Sequence, residues 1–145
     1  DVSANTTGML ITGNAGDDIL TGGSGNDTIV GAADNDTLTG NAGNDVINGM
    51  IGNDTINGGT GNDDLFGGTG NDVFVFDANW ERDRIFGWED GVDIIDFTGH
   101  ASITQFSDVT VTQVSANTEV QFGGDSIVLV GVNSATITAA DFDFV

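Results

Sequence analysis

Aspartate recurs every ninth residue in the first half of the chain and is its most regularly spaced chemically active side chain. Seven consecutive nonapeptides between residues 13 and 75 carry it at their sixth position: Asp18, Asp27, Asp36, Asp45, Asp54, Asp63 and Asp72. Carboxylates are hard oxygen ligands, and calcium accepts many such oxygens in flexible geometry. The spacing therefore predicts rows of calcium sites.

The composition favours the same chemistry and argues against several others. Two basic and 23 acidic residues give the 145-residue chain a formal net charge of -21, which excludes nucleic acid as a partner. Cysteine is absent and His100 is the single histidine, so the usual zinc sites cannot be assembled. We predict that His100 is a loop residue and that the chain is not an enzyme, because no nucleophile and base occur together. No apolar run has the ~18 residues of a membrane span, so membrane insertion is not expected.

Glycine accompanies the aspartates at two fixed positions. It opens every unit, as Gly13, Gly22, Gly31, Gly40, Gly49, Gly58 and Gly67. It also fills the fourth position of six units, as Gly16, Gly25, Gly43, Gly52, Gly61 and Gly70. We predict that these glycines supply the positive φ of a tight turn and that their carbonyl oxygens are further calcium ligands.

The eighth position of every unit is a large apolar residue, and the last three residues of a unit suit a short strand. Because one short strand cannot hold a core, two units are predicted to form one coil, with residues 18 apart stacked. Stacking would place the aspartates in two rows, with neighbours ~4.8 Å apart. Carboxylates at this distance repel by roughly 0.8 kcal/mol even in bulk water. We therefore predict about five complete calcium sites, without which the roll would not close.

The unit at residues 22–30, Gly-Gly-Ser-Gly-Asn-Asp-Thr-Ile-Val, resembles the RTX calcium-binding nonapeptide, as do residues 58–66 and 67–75. The downstream segments 83–88 and 90–97 are similar to the region that follows RTX repeats in secreted proteases, epimerases and adhesins. The resemblance implies a parallel β-roll with calcium between its turns. It also implies export by type I secretion machinery that reads an uncleaved C-terminal signal, followed by folding outside the cell.

Two units depart from the pattern. Asp34 replaces the fourth-position glycine of the third unit, next to Ala32 and Ala33, and Met50 with Ile51 puts bulk into the fifth unit. We predict weaker calcium binding in the turns at residues 31–36 and 49–54.

The sequence thus predicts an all-β chain with three regions. Residues 1–12 are an N-terminal cap, residues 13–75 form the roll, and residues 76–145 form a capping β-meander. Thr138, with Asp141 three residues later, fits a capping box before a short helical turn. The hydrophobic residues that end the chain are either part of an export signal or an ordinary final strand.

Several downstream residues allow two interpretations. Asp90, Asp93 and Asp96 are candidates for a terminal calcium site, or they are solvated loop residues. Trp80 and Trp88 could form a platform for carbohydrate stacking, but packing at the junction of the two regions is favoured.

The leading hypothesis is a calcium-binding module of a secreted or cell-surface bacterial protein. The main alternative is a module that binds an extracellular polysaccharide or surface. An ice-binding array is disfavoured, because the third position of the unit, which includes Thr60 and Thr69, is too irregular for a repeated face.

Overall fold

The chain forms two parallel β-sheets wound into a roll, which continues into a short β-meander. The computed structural model describes residues 6–77 and 79–144, so part of the predicted N-terminal cap lies outside the described residues. Within these ranges the fold is all-β, with two short 3-10 helices at Phe106–Asp108 and Ala139–Asp141. None of the described helices has the length and apolarity of a membrane span. The predicted fold class, a parallel β-roll, is confirmed.

The first ten strands form the roll. They are β1 (Leu10–Ala15), β2 (Ile19–Thr21), β3 (Thr28–Ala33), β4 (Thr37–Ala42), β5 (Val46–Ile51), β6 (Thr55–Thr60), β7 (Asp64–Thr69), β8 (Val73–Val75), β9 (Arg82–Phe86) and β10 (Ile94–Asp96). Each strand from β3 to β7 begins at the seventh position of a unit and continues into the next unit. These strands therefore have six residues, against the three that the sequence predicted.

Odd-numbered and even-numbered strands lie in separate sheets, because each coil contains two units. One sheet has the order β1-β3-β5-β7-β9 and the other β2-β4-β6-β8-β10, with all neighbours parallel. The register pairs Ile29 with Ile47 and Leu38 with Ile56. The predicted stacking of residues 18 apart is confirmed.

Apolar side chains at the eighth position fill the space between the two sheets. Those of six units are fully buried: Ile29, Leu38, Ile47, Ile56, Leu65 and Phe74. Complete burial of such a side chain contributes roughly 1.5–3 kcal/mol. Each repeat strand therefore contributes one large apolar side chain to the core, and the core forms only when the coils are stacked.

The stacking extends beyond residue 75, where the glycine pattern ends. Strand β9 pairs with β7 and places Ile85 beside Leu65, while β10 pairs with β8 and places Ile95 beside Phe74. Both isoleucines are fully buried. One further coil therefore belongs to the roll without the sequence of a repeat.

The meander completes the first sheet. Strand β13 (Asp125–Leu129) pairs in parallel with β9, and β12 (Asn117–Phe122) and β11 (Thr110–Val114) follow in antiparallel order. The meander thus pairs with the last strand of the roll, and β11 becomes the edge of this sheet.

The last described residues complete the second sheet. Thr138 caps the 3-10 helix as predicted, because its N–H donates to Asp141 Oδ2 at 2.7 Å and its hydroxyl accepts from the Ala140 N–H at 3.3 Å. Strand β14 (Phe142–Asp143) then pairs with β10. The terminal hydrophobic segment therefore contains a strand of the roll, while its role in export stays a prediction.

Candidate calcium-binding site

The sixth-position aspartates form a ladder along each edge of the roll. In the first row Oδ1 of Asp36, Asp54 and Asp72 accepts the N–H of the aspartate 18 residues earlier, at 2.8, 2.8 and 2.9 Å. In the second row Oδ1 of Asp45 and Asp63 accepts the corresponding N–H groups of Asp27 and Asp45, at 2.7 and 2.8 Å. The structure thus brings all seven predicted aspartates into two rows.

The second carboxylate oxygen is left without a protein partner in most of these residues. The buried Oδ2 atoms that lack a hydrogen bond belong to Asp18, Asp36, Asp45, Asp54, Asp63 and Asp72. Asp27 differs, because its Oδ2 accepts the Gly23 N–H at 2.6 Å. Burying an anionic oxygen without compensation costs more than burying a neutral group. Each row therefore presents oxygens that a cation would stabilise.

The glycine at the first position makes room for this carboxylate. A Cβ built on Gly22 would lie 2.6 Å from Asp27 Oδ2 and 2.6 Å from the carbonyl oxygen of Gly40 in the next coil. Gly22 does not have a positive φ, and neither do the other first-position glycines. Their predicted role in supplying a left-handed turn is therefore wrong, and the constraint at this position is space.

Positive φ is instead found at the second and fourth positions. Five of the six fourth-position glycines have φ between 102° and 146°, whereas Gly25 does not, and Asp34, which replaces glycine in the third unit, has φ 74°. At the second position the left-handed backbone is imposed even on Ala32 (φ 100°) and Met50 (φ 79°). Because such backbone costs a residue with a side chain ~1–2 kcal/mol, these two turns are strained.

Backbone carbonyl groups lie between stacked turns of the roll. A Cβ built on Gly43 would lie 2.6 Å from the Gly25 carbonyl oxygen, and Gly61 is packed against the Gly43 carbonyl in the same way. The carbonyl oxygens of Asn41 and Met50 approach Gly59 and Gly68 similarly, at the second position. The turns therefore offer carbonyl oxygens at the second and fourth positions, of which only the fourth was predicted from the sequence.

The fifth-position asparagines form a further ladder of hydrogen bonds along each edge of the roll, which was not predicted from the sequence. The Asn44 N–H donates to Asn26 Oδ1 at 2.9 Å, and the Asn62 N–H donates to Asn44 Oδ1 at 3.0 Å. The other edge repeats the pattern from Asn53 to Asn35 at 2.8 Å. The signal was present, because six of the seven fifth positions are asparagine and the seventh is Asp17.

The aspartate rows are electrostatically unfavourable without a cation. Burial, together with the neighbouring carboxylates Asp63 and Asp27, raises the pKa of Asp45 to about 6. Burial likewise raises the pKa of Asp72 to about 6, with Asp93 and Asp54 adding to the shift. The backbone N–H donors of the ladder act in the opposite direction but do not cancel the burial.

The donor set fits a cation that accepts backbone oxygen. Among the described residues, no three His, Cys, Asp or Glu side chains converge on a point where they could hold a metal. An ion between two turns would therefore take carboxylate oxygens from the ladder and complete its shell with carbonyl groups. Calcium, which accepts six to eight oxygens in irregular geometry, suits this set better than magnesium.

Of the three downstream aspartates that were candidate ligands, one joins an aspartate row and two do not. Asp93 joins the first row, because its Oδ1 accepts the Asp72 N–H at 3.2 Å. Asp96 instead accepts the Thr98 N–H in a local turn, and Asp90 is exposed. The second row is extended by Asp83, which the sequence analysis did not include among the ligands: its Oδ1 accepts the Asp63 N–H at 2.8 Å.

The tryptophans pack in the core and do not form a platform. Trp80 is 2% exposed and Trp88 is 9% exposed. The Trp80 ring contacts Phe76, Phe97 and His100. His100 lies in a loop as predicted, and its Nδ1 accepts the backbone N–H of Ile103 at 3.1 Å.

Comparison with known proteins identifies the repeat. The family model for the RTX calcium-binding nonapeptide repeat, in four copies, matches residues 10–38 and 39–74. The coils of residues 10–74 are RTX calcium-binding repeats. Such repeats typify secreted extracellular bacterial proteins. A sequence search of curated proteins gave no significant match.

Solved structures with a similar fold match more than nine tenths of the chain. The chain is similar to part of the extracellular lipase LipA from Serratia marcescens, with 26% identity and a TM-score of 0.61 over 94% of this chain. It spans only 21% of the lipase chain. It also resembles two subunits of the Azotobacter vinelandii mannuronan C5-epimerase. For AlgE6R2 the identity is 19%, the TM-score 0.62 and the coverage 99% and 96% of the two chains. For AlgE6R3 these values are 26%, 0.61, 91% and 80%.

Proposed function

We propose that this chain is a calcium-dependent folding module of a larger secreted bacterial protein. Calcium closes the RTX roll after export by type I secretion machinery, and the closed roll stabilises the protein that carries it. The observation that supports this most directly is the set of buried Oδ2 atoms without a partner in both aspartate rows. A cation supplies the charge that the protein itself lacks there.

The energetics make calcium decisive for folding. With dissociation constants of ~10⁻⁴–10⁻³ M, typical of extracellular modules, millimolar calcium contributes roughly 0.4–1.4 kcal/mol per site. Five sites contribute about 2–7 kcal/mol, which is comparable to the ~5–15 kcal/mol stability of a domain. Inside a cell, where free calcium is far below these constants, the same sites contribute nothing and the chain stays unfolded.

The test is a calcium titration of the whole chain, followed by far-ultraviolet circular dichroism. We expect little β signal in EGTA and a cooperative rise in the millimolar range, with magnesium a weak substitute. Replacing Asp45 and Asp54, one in each row, by Asn keeps an Oδ1 acceptor for the ladder and removes the charge. This double variant should need more calcium for the same signal. The same β signal with and without EGTA would refute the proposal.

A second candidate function is binding of an extracellular polysaccharide. It is favoured by the 26% identity to the epimerase subunit AlgE6R3 and by a cleft of about 320 Å³ beside the roll. Asn41, Asn57 and Asp77 line this cleft with hydrogen-bonding groups. The net charge of -21 opposes acidic polymers such as alginate, so a neutral glycan would be preferred. A glycan array in calcium tests this, with Asn57→Ala as the variant that should lose any specific signal.

A further inference from the structure

Residues 79–86 have the backbone of an eighth unit that the glycine pattern hides. Asp83 takes the sixth position and Ile85 the eighth, but Asp83 follows Asp63 by 20 residues instead of 18. At the second and fourth positions, Asn79 (φ 57°) and Glu81 (φ 63°) are left-handed, as in the RTX repeats. The turn therefore keeps the repeat's conformation although the glycines have been replaced.

Asp83 also makes the contacts of a repeat aspartate. Its Oδ1 accepts the Asp63 N–H at 2.8 Å, which matches the 2.8 Å between Asp45 N and Asp63 Oδ1 one coil earlier. The Arg84 N–H donates to the Asp63 carbonyl at 2.8 Å, as the Asp64 N–H does to the Asp45 carbonyl at 2.9 Å. The second row of aspartates therefore has one more member than the sequence repeat predicts.

The carboxylate of Asp83 is buried without compensation. The side chain is 0% exposed and its Oδ2 has no hydrogen-bond partner. Strand β13 of the meander covers it, with Ile127 in register beside it. Its neighbour in the row, Asp63, is likewise 0% exposed, so water does not solvate either carboxylate.

No basic side chain of the chain neutralises this carboxylate in the described structure. The two arginines are paired elsewhere: Arg84 with Asp64 at 2.6 and 2.7 Å, and Arg82 with Glu119 at 3.5 Å. The charged groups that face Asp83 are acidic. After burial, the charges of Asp63, Asp125 and Glu81 raise its pKa to about 8.

The end of the first row is built differently. Asp93 also accepts a ladder N–H through Oδ1, but its Oδ2 accepts the Glu89 N–H at 2.8 Å. Both oxygens of Asp93 therefore have protein donors. The two ends therefore differ in one respect: Asp83 has a buried carboxylate oxygen without a hydrogen-bond donor, and Asp93 does not.

We propose that Asp83 and Asp63 hold a calcium ion at the junction between the roll and the meander, in a shell completed by backbone carbonyl oxygens. This site rests on the proposed function of the RTX repeats but lies beyond the residues that the family model matches. Its ion neutralises the buried carboxylate against which β13 packs. Calcium would thereby fasten the meander to the roll as well as close the roll itself.

Counting bound calcium tests the site with a matched pair of variants. Equilibrium dialysis of the whole chain in calcium should show one ion fewer for Asp83→Asn than for the wild type, at an unchanged β signal. The control Asp93→Asn, at the other ladder end, should keep the wild-type number. An Asp83→Asn variant that binds as many ions as the wild type overturns the site, whereas a wild type that binds no calcium overturns the proposed function.

Sensitised terbium emission tests the same site without substituting any aspartate of the two rows. Trp80 and Trp88 are the two tryptophans and tyrosine is absent, so sensitised emission reports ions close to these two rings, at the C-terminal end of the roll. Trp80 belongs to the turn of Asp83, and Trp88 lies closer in sequence to Asp93. We expect emission that calcium displaces, that Trp80→Phe largely removes and that Trp88→Phe keeps. Emission that depends on Trp88 alone, or no emission from a chain that folds in terbium, would contradict the site.

Discussion

Replacing Gly22 by alanine tests the reason for glycine at the first position of the repeat. The backbone of Gly22 is not left-handed, so the only new group is a Cβ in contact with Asp27 Oδ2 and the Gly40 carbonyl oxygen, each at 2.6 Å. Carbon and oxygen atoms that are not bonded need about 3.2 Å or more, so the carboxylate or the next coil must move.

The magnitude follows from the contacts that this movement disturbs. Overpacking a tight site costs ~1–3 kcal/mol. Displacing the Asp27 carboxylate also weakens its hydrogen bonds from the Met9 N–H at 2.8 Å and the Gly23 N–H at 2.6 Å. Hydrogen bonds to a charged group contribute ~1.5–3 kcal/mol each. We therefore expect Gly22→Ala to lower the free energy of unfolding by about 3–5 kcal/mol in saturating calcium.

Gly124→Ala is the matched control. A Cβ on Gly124 would meet nothing within 4 Å, and its φ is also outside the left-handed region. This variant should change the free energy of unfolding by less than about 1 kcal/mol, since alanine mainly restricts the unfolded chain. Urea unfolding of both variants in saturating calcium gives the comparison. Equal stabilities for the two variants would refute the account of the first-position glycine.

Three further predictions follow from the strained turns, the asparagine ladder and the buried carboxylates. Met50→Gly should raise the free energy of unfolding by up to ~1 kcal/mol in urea unfolding, because the left-handed φ of 79° is relieved at a residue that is 44% exposed; a loss of stability would contradict the strain. Asn44→Ala should lower it by about 1 kcal/mol, because the Asn62 N–H loses its acceptor; an unchanged midpoint would show that the ladder is dispensable. In EGTA, the β signal should rise as the pH falls from about 8 to about 4. The raised pKa values, about 6 for Asp63 and about 8 for Asp83, mean that the folded state takes up protons first, so stability is present below pH ~4 and is lost as the pH rises through those values. Greater folding at pH 8 than at pH 5 without calcium would contradict this.

The roll could be predicted from the sequence because one strict nine-residue period determines both the stacking of the coils and the inward-facing side chains. Aspartate at the sixth position and an apolar residue at the eighth determine which residues stack and which face inward, as Ile29 and Ile47 show. The site residues within the repeats follow from the same period. The register needed no knowledge of long-range contacts, since each coil repeats the one before it.

What the sequence did not reveal depends on backbone conformation and on insertions. Asp83 and Asp93 continue the ladders at spacings of 20 and 21 residues, so a search at a fixed period passes over them. The two uses of glycine look identical in a sequence, because space for the Asp27 carboxylate and a positive φ at Gly43 both demand the absence of a Cβ. Only coordinates separate the two.

A crystal structure grown in calcium, with anomalous scattering used to locate the ions, would show whether calcium occupies the two aspartate rows. We expect ions between successive turns along both aspartate rows, with the unpartnered Oδ2 atoms and turn carbonyl oxygens among their ligands. We also expect the weakest occupancy beside Asp34 and Met50. A folded roll with no anomalous density along either row would contradict calcium binding by these aspartates.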